Sequence, residues 1–394
     1  MSIWLFSTLS RPLIAECLLA GTGGVSLFPF YGQDPEHGGG FPVFRENHAG
    51  YHRRMRANGV SSTLVGQLAL GGQWYPIALS EDIAPGPHGV QVLGRRYVLW
   101  RSEEGSLNAA PDRCPHRQAP LSEGRMAGGC LECPYHGWRF GAGGRCELVP
   151  SAVPGTPVPP KAHLNAVSIE ERYGLVWLCP GTPRGRIPEI PQERNPEFRR
   201  LNTPFQHWAV SSTRITDNFM DFSHFPFVHT ATFGLAQETV VPPLEMGDLP
   251  DGFRGYAYEV NANNTTDAGQ TVTGQDDDVL HRRMTTGYVL PFSVRSTIAY
   301  ESGLEHILLL LATPVDDVNS LFNFVVWRND DFLVPAEEIM KFDLAIGAED
   351  RAMLEKLEGV LPMDLTATVS VQSDRPSVDW RRSLVALLAE GGEG

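Results

Sequence analysis

At 394 residues the chain is long enough for two ordinary domains, each with a buried core. Its hydrophobic and charged fractions, 42% and 20%, are those of a globular protein rather than a disordered one. A formal net charge of −14 argues against nucleic acid or an anionic membrane as partner, since either calls for a basic face, and leaves a small molecule or a basic protein.

Residues 1–69 are expected to form a poorly ordered N-terminal extension. The opening MSIWLFSTLSRPLIAECLLAG is apolar in flavour, but Arg11, Pro12 and Glu16 interrupt it. It lacks a basic leader region and falls short of the roughly 20 apolar residues that a membrane span needs, as does every other stretch. Gly- and Pro-rich text follows, then the basic run His52-Arg53-Arg54-Met55-Arg56, with no sustained period. A working start near Met55 is one expectation for this region.

From about residue 70 the text changes character. Trp74–Leu79 and Val90–Trp100 read as short alternating strands, the latter folded around a Gly turn. Trp138–Phe140, a turn over Gly141–Gly144, Arg145–Leu148 and Tyr173–Leu178 continue the pattern, so residues 70–180 are expected to form a small antiparallel β-domain. The glycines at 141–144 are not a dinucleotide fingerprint, and no P-loop occurs.

Two loops inside this region carry the first chemistry: Cys114-Pro115-His116-Arg117 and Cys133-Pro134-Tyr135-His136-Gly137-Trp138. Two thiolates and two imidazoles can hold one zinc, or a [2Fe–2S] cluster with cysteines on one iron and histidines on the other, the Rieske arrangement. Spacing alone does not decide. A zinc finger usually sets its histidines together on a helix, whereas each Cys/His pair here has its own Pro/Gly-bounded loop, which suits the iron–sulfur option better. Cys130 reads as a small loop thiol, because His136 already completes the set. The six cysteines scatter along an acidic chain, which favours a reducing cytoplasm over a disulfide framework.

Residues 181–203 are a Pro- and Arg-spotted linker, and residues 204–394 form a second block. A helical segment is expected near Ile215–His229. Strands are expected at Phe253–Val260, Val289–Tyr300, His306–Ala312 and Leu321–Trp327, then helices at Ala336–Leu357 and Pro376–Ala389. Ser373 and Asp374 are plausible caps for the last helix. The fold class is therefore α+β: a β-domain followed by a helix-grip-like domain whose curved antiparallel sheet holds one or two helices.

The second constellation is Asp217-Asn218-Phe219-Met220-Asp221-Phe222-Ser223-His224-Phe225-Pro226-Phe227-Val228-His229. Asn218, Asp221 and His224 fall three apart and share a face of a helix. His229 would point about 140° away from His224 on a regular helix, but Pro226 disrupts the ladder, and a distorted turn at Phe225–Pro226 lets both imidazoles converge. Two histidines and one carboxylate make the facial set of non-haem iron(II). Asp350 leads as the carboxylate; Asp343, seven residues earlier on the same helix face, is not excluded by periodicity. Phe219, Phe222, Phe225 and Phe227 read as ordinary core rather than cavity lining.

The CPHR and CPYHGW words resemble the Rieske domains of non-haem iron oxygenases. DNFMDFSHFPFVH is similar to the metal-binding helix of their phthalate-type branch, which includes vanillate and dicamba O-demethylases and saxitoxin-pathway hydroxylases. The likeness runs from about Gln73 to Leu388; Gln118 stands where Gly usually follows CPHR, which leaves the ligands untouched but bears on the turn. The resemblance implies cluster ligands Cys114, His116, Cys133 and His136, and mononuclear iron ligands His224, His229 and Asp350. It also implies a homotrimer in which Asp221 bridges a ligand imidazole to a cluster histidine of the neighbouring subunit. Asn218 and Asp221 are the candidate catalytic residues beside the iron. The expected activity is that of an oxygenase component, a monooxygenase or dioxygenase acting with O2 on a small organic substrate, fed by a separate reductase with or without a ferredoxin. A Rieske electron-transfer protein without catalysis and a zinc-stabilised interaction module are the rival readings.

Overall fold

The structure, a computed structural model, describes residues 63–330 and 332–390. Residues 1–62, with the proposed start near Met55 and most of the expected extension, lie outside the described residues. The last part of that extension is packed rather than loose: Leu64, Ala69 and Leu70 are buried, and Asp317 Oδ1 accepts from the backbone N–H groups of Leu64 and Val65 at 2.7 and 2.9 Å.

The first half is built of short antiparallel strands. β1 (Tyr75–Leu79) pairs with β10 (Leu175–Cys179), which pairs with β9 (Ser168–Arg172). β2 (His88–Val92), β3 (Arg95–Arg101) and β4 (Leu107–Pro111) form a second sheet. The turn between β2 and β3 uses Leu93 and Gly94, both at positive φ, the geometry that matches strand twist in tight hairpins. A third sheet runs β5 (Arg125–Ala127), β6 (Cys130–Glu132), β7 (Arg139–Phe140), β8 (Cys146–Leu148) in sequence order. Val98, Trp100, Leu121, Leu131 and Phe140 bury their side chains between the last two sheets, and Cys114 and Cys133 belong to the same cluster.

The second half is one eight-stranded antiparallel sheet with helices on one face. Its order is β11 (Arg199–Asn202), β18 (Ser320–Arg328), β17 (Glu305–Pro314), β16 (Ser293–Tyr300), β15 (Val279–Val289), β14 (Arg254–Asn263), β13 (Gly247–Asp248), with β12 (Gln206–Trp208) also paired to β18. The helices are α1 (Ser212–Phe219), α2 (Phe225–Val228), α3 (Asp267–Thr273), α4 (Ala336–Leu354) and α5 (Arg375–Glu390). None of the described helices is long and apolar enough to cross a membrane.

The Leu308–Leu311 run in β17 follows from burial on both faces. Ile307, Leu309 and Leu311, with Val325 and Trp327 of β18, pack against Tyr173, Leu175 and Trp177 of the first half. The alternate residues His306, Leu308 and Leu310, with Phe322 and Phe324, face a cavity beneath α4. One sheet thus serves as floor for the first half and as wall for the cavity.

Two expectations need correction. Val289–Tyr300 is not one strand: Leu290–Phe292 is a turn joining β15 to β16. β15 itself, together with α3, escaped the sequence reading, because its inward positions include Arg282 and Thr286, which blunt the apolar alternation that marks a strand. The helix near Ile215–His229 is two pieces, α1 and α2, with a turn between them.

Candidate metal centres

The two Cys/His loops are tight turns of one design. Cys114 N–H donates to Ala119 O and Gln118 N–H to Cys114 O; Cys133 N–H donates to Trp138 O and Gly137 N–H to Cys133 O. The turns require positive φ at equivalent positions, which Gly137 supplies at 68° and Gln118 at 61°. Gln118 therefore keeps the turn at a conformational cost. Gln118→Gly is expected to stabilise the protein by about 0.5–1 kcal/mol, the left-handed penalty less the entropy glycine adds to the unfolded chain. A denaturation midpoint that falls instead would mean the Gln118 side chain carries a contact.

The loops bring their predicted ligands together. Cys114 and Cys133 are buried, and burial, helped by the neighbouring Cys133 sulfur, pushes the Cys114 thiol up to about 11. The His116 and His136 rings meet edge-on with centroids 4.5 Å apart on the exposed side, and Trp138 stacks on His116 at 4.8 Å. Buried sulfurs behind exposed imidazoles fit a [2Fe–2S] cluster whose histidine-bound iron faces outward. Cys130 takes no part; it pairs with Ala127 across the hairpin.

The second site depends on a chain reversal after α1. Helix α1 ends at Phe219, and Asp221 turns the backbone by accepting from Ser223 N–H at 3.0 Å and Ser223 Oγ at 2.7 Å. His224 then caps α2, where Pro226 sits in the first turn and lacks only an N–H that the helix would leave unused. The break thus lies at Met220–Ser223, ahead of the expected Phe225–Pro226, and Asp221 and His224 do not extend the α1 face.

This path brings His224, His229 and Asp350 together. The two Nε2 atoms are 3.2 Å apart, and Asp350 Oδ1 lies 3.4 Å from each. A first-row metal bound at about 2.1 Å holds neighbouring donors about 3.0–3.4 Å apart, so the spacing fits one iron on a triangular face. Asn218 Nδ2 donates to Asp350 Oδ1 at 2.9 Å. Asp343, on the same face of α4, instead faces His306 at 3.3 Å.

Each imidazole is turned by a carboxylate behind it. His224 Nδ1 meets Asp221 Oδ2 and His229 Nδ1 meets Glu349 Oε2, both at 2.9 Å, which leaves each Nε2 lone pair for the metal. Glu349 was missed from sequence; it neighbours Asp350 on α4, and a residue one step along a helix projects about 100° away. Its position is fixed by Thr232 Oγ1 at 2.7 Å and Ala231 N–H at 3.2 Å.

Beside the three donors opens a cavity of about 120 Å³. Phe219, Phe225, Leu310, Phe342 and Ile346 give it apolar walls, so two of the four aromatics read as core line it instead. Phe222 is core, and Phe227 is exposed on the surface beside the site.

Residues 73–165 match the Rieske [2Fe-2S] domain model, and residues 208–390 match the vanillate O-demethylase oxygenase C-terminal domain. The vanillate O-demethylase oxygenase subunit of a Pseudomonas species is 34% identical over 344 residues, covering 80% of this chain and 94% of that protein. Methylxanthine N1-demethylase NdmA of Pseudomonas putida is 29% identical over 331 residues, covering 82% and 90%. The structure of NdmA with caffeine superimposes with a TM-score of 0.72 at 26% identity over 83% of this chain and 93% of that one. Dicamba monooxygenase shares the fold at a TM-score of 0.69. Two matched domains in the right order, a cluster site in the first and a facial donor set in the second make one statement: this chain belongs to the oxygenase components of the Rieske non-haem iron oxygenases, O2-dependent oxidoreductases carrying a [2Fe–2S] cluster and a mononuclear iron.

Proposed function

We propose that the chain hydroxylates a methyl or ring carbon of a small aromatic or heteroaromatic compound, with His224, His229 and Asp350 binding the mononuclear iron and Cys114, His116, Cys133 and His136 binding the cluster. The observation that carries this reading is a facial donor set opening into an apolar, partly aromatic cavity. When bound, the cluster supplies single electrons and the ferrous iron activates dioxygen. The chain's residues supply the rest. Asn218 orients Asp350, Asp221 and Glu349 fix the imidazole tautomers, and the aromatic walls exclude water and hold the substrate ring.

For a methyl substrate the balance is R–CH3 + O2 + two electrons + two protons giving R–CH2OH + H2O. On an ether oxygen or ring nitrogen the hydroxymethyl product then collapses to R–H and formaldehyde. The relatives named as demethylases favour that outcome. Methoxy- and N-methyl-arenes offered with a surrogate reductase are the test. Formaldehyde formed in step with substrate-stimulated O2 uptake is expected; no stimulation by any arene would reject the reading.

A homotrimer with electron passage between subunits is part of the same proposal. The cluster tip is exposed with Tyr135 at its edge, and Asp221 and Phe227 reach the surface at the iron site, as a docking face would require. A monomer by light scattering would reject it. A cytoplasmic setting is part of the same proposal, supported by the free thiols of the described cysteines outside the cluster site, Cys130, Cys146 and Cys179.

The metal-free site fixes a pH dependence. Burial alone would push the His224 pKa down, but hydrogen bonds to Asp221 and Asp350 outweigh it and raise it to about 9. That proton must leave before iron binds. Below pH 9 each unit of pH is therefore expected to raise the affinity of apo-protein for iron(II) about tenfold, with one proton released. The same proton stabilises the metal-free fold, fully below its unfolded value of about 6.5 and progressively less as pH rises through 9. Affinity that does not change with pH would contradict this.

A further inference from the structure

Four arginines are buried among the described residues, and they do not have the same partners. Arg295 lies 3.0 Å from Asp251, Arg328 is held by Asp330, and Arg381 lies 3.4 Å from Asp217. Arg282, at 5% exposure, is set apart by having no carboxylate within ion-pair distance among the described residues; its Nε, like those of Arg295 and Arg381, has no hydrogen-bond partner. Its guanidinium lies over the Phe233 ring at 4.7 Å and lines the cavity beside the iron site. A desolvated cation held only by a ring face is expensive to keep and is ordinarily paired.

None of the carboxylates that share the cavity pairs with Arg282. Asp221 is bound to His224, Asp350 sits between the two imidazoles, and Asp343 faces His306. Arg328 Nη1 approaches His306 Nδ1 at 3.2 Å, and an arginine only donates, so Nδ1 is the acceptor, while Nε2 lies 3.3 Å from Asp343 Oδ2 without a hydrogen bond.

Position adds direction. Arg282 stands opposite Tyr300 in the sheet register, and both line the cavity. Phe233 separates the guanidinium from the iron site, stacking on the His229 ring at 4.7 Å with 25° between planes. A planar ring lying along the apolar walls with one end at Arg282 would therefore present its other end toward the imidazoles.

We propose that Arg282 is the substrate-anchoring residue and that the substrate is an aromatic or heteroaromatic carboxylate, its two oxygens received by the guanidinium on the cavity wall, beyond Phe233 from the imidazoles. A fork of donors matched to two oxygens in a dry site gives both affinity and orientation. This rests on the cavity being the substrate site of the oxygenase.

The test is calorimetric titration of the iron-loaded protein with methoxy- and methyl-substituted benzoates, each beside its neutral carboxamide. Benzoates are expected to bind at least about tenfold more tightly than their amides. Arg282→Met should bring the benzoates to the level of the amides, while Arg282→Lys keeps part of the preference. Without ligand, Arg282→Met should melt at or above the wild-type temperature, since an unpaired buried cation has been replaced by an apolar chain of similar length. The proposal is overturned if amides bind as tightly as acids, if the preference survives Arg282→Met, if no benzoate binds, or if that variant is markedly destabilised. The parent reading fails separately: benzoate binding that depends on Arg282, with no arene stimulating O2 uptake, would leave the anion site standing and remove the oxygenase role of the cavity. Stimulation by neutral arenes alone would do the reverse.

Discussion

Asp350→Ala is expected to abolish product formation, a loss of at least a hundredfold, while the visible spectrum of the cluster is unchanged. Under the proposed assignment, removing the carboxylate would take one of three protein donors from the iron and leave two imidazoles whose Nε2 atoms lie only 3.2 Å apart. Perturbing an outer partner of a ligand already costs about 10–100-fold in affinity or activity, so loss of a ligand should exceed that. His224→Ala should behave alike. Asn218→Ala, which frees Asp350 without removing it, should fall within the smaller range. Asp343→Ala provides the discriminating control, because that acid faces His306 rather than the site and its loss should leave mononuclear iron in place. Iron content and product per O2 consumed are the measurements. Unaltered turnover in Asp350→Ala, or loss of the mononuclear iron in Asp343→Ala instead, would reverse the assignment.

The second large effect is expected at Asp221. Asp221→Asn keeps the size and some of the hydrogen bonding that turns the chain at Ser223, but removes the charge behind His224. Hydrogen bonding to His224 and Ser223 outweighs desolvation and holds the Asp221 carboxyl below its ordinary value, so it is an anion at working pH. Its side chain is also partly open to the surface, where a histidine of a neighbouring subunit's cluster could reach it. The variant should accept an electron into its cluster normally and retain most of its iron, yet its cluster reoxidation by O2 with substrate should slow at least a hundredfold. Glu349→Gln makes the comparison informative. Glu349 supports His229 in the same way but is tied inward to Thr232 and Ala231, so its loss should weaken iron binding without slowing electron delivery in the loaded fraction. Normal single-turnover rates in Asp221→Asn would remove the bridging role.

Much of this was legible in the sequence because the chemistry needs rare residues at short range. Cys114-x-His116 and Cys133-x-x-His136 each fit inside one turn, and turns are written locally by Pro and Gly. His224 and His229 were visible for the same reason. The departures came where distant segments decide the outcome. Which acid of α4 completes the triad depends on where that helix lies across the sheet, information that a seven-residue spacing does not hold. Glu349 serves His229 through a contact spanning 120 residues. β15 was hidden because lining a cavity put Arg282 and Thr286 where an apolar strand face was expected, so the feature that obscured its structure is also the one that bears on substrate. Phe219 and Phe225 were taken for core because cavity walls and cores draw on the same residues.

The most direct measurement is electron paramagnetic resonance of purified, iron-replete protein after one-electron reduction, read beside its metal content. A rhombic signal of a reduced Rieske centre with about three irons per chain is expected, two in the cluster and one between His224, His229 and Asp350. No such signal, with zinc found at both places, would contradict the claim that this chain stores electrons at one metal centre and spends them on oxygen at another.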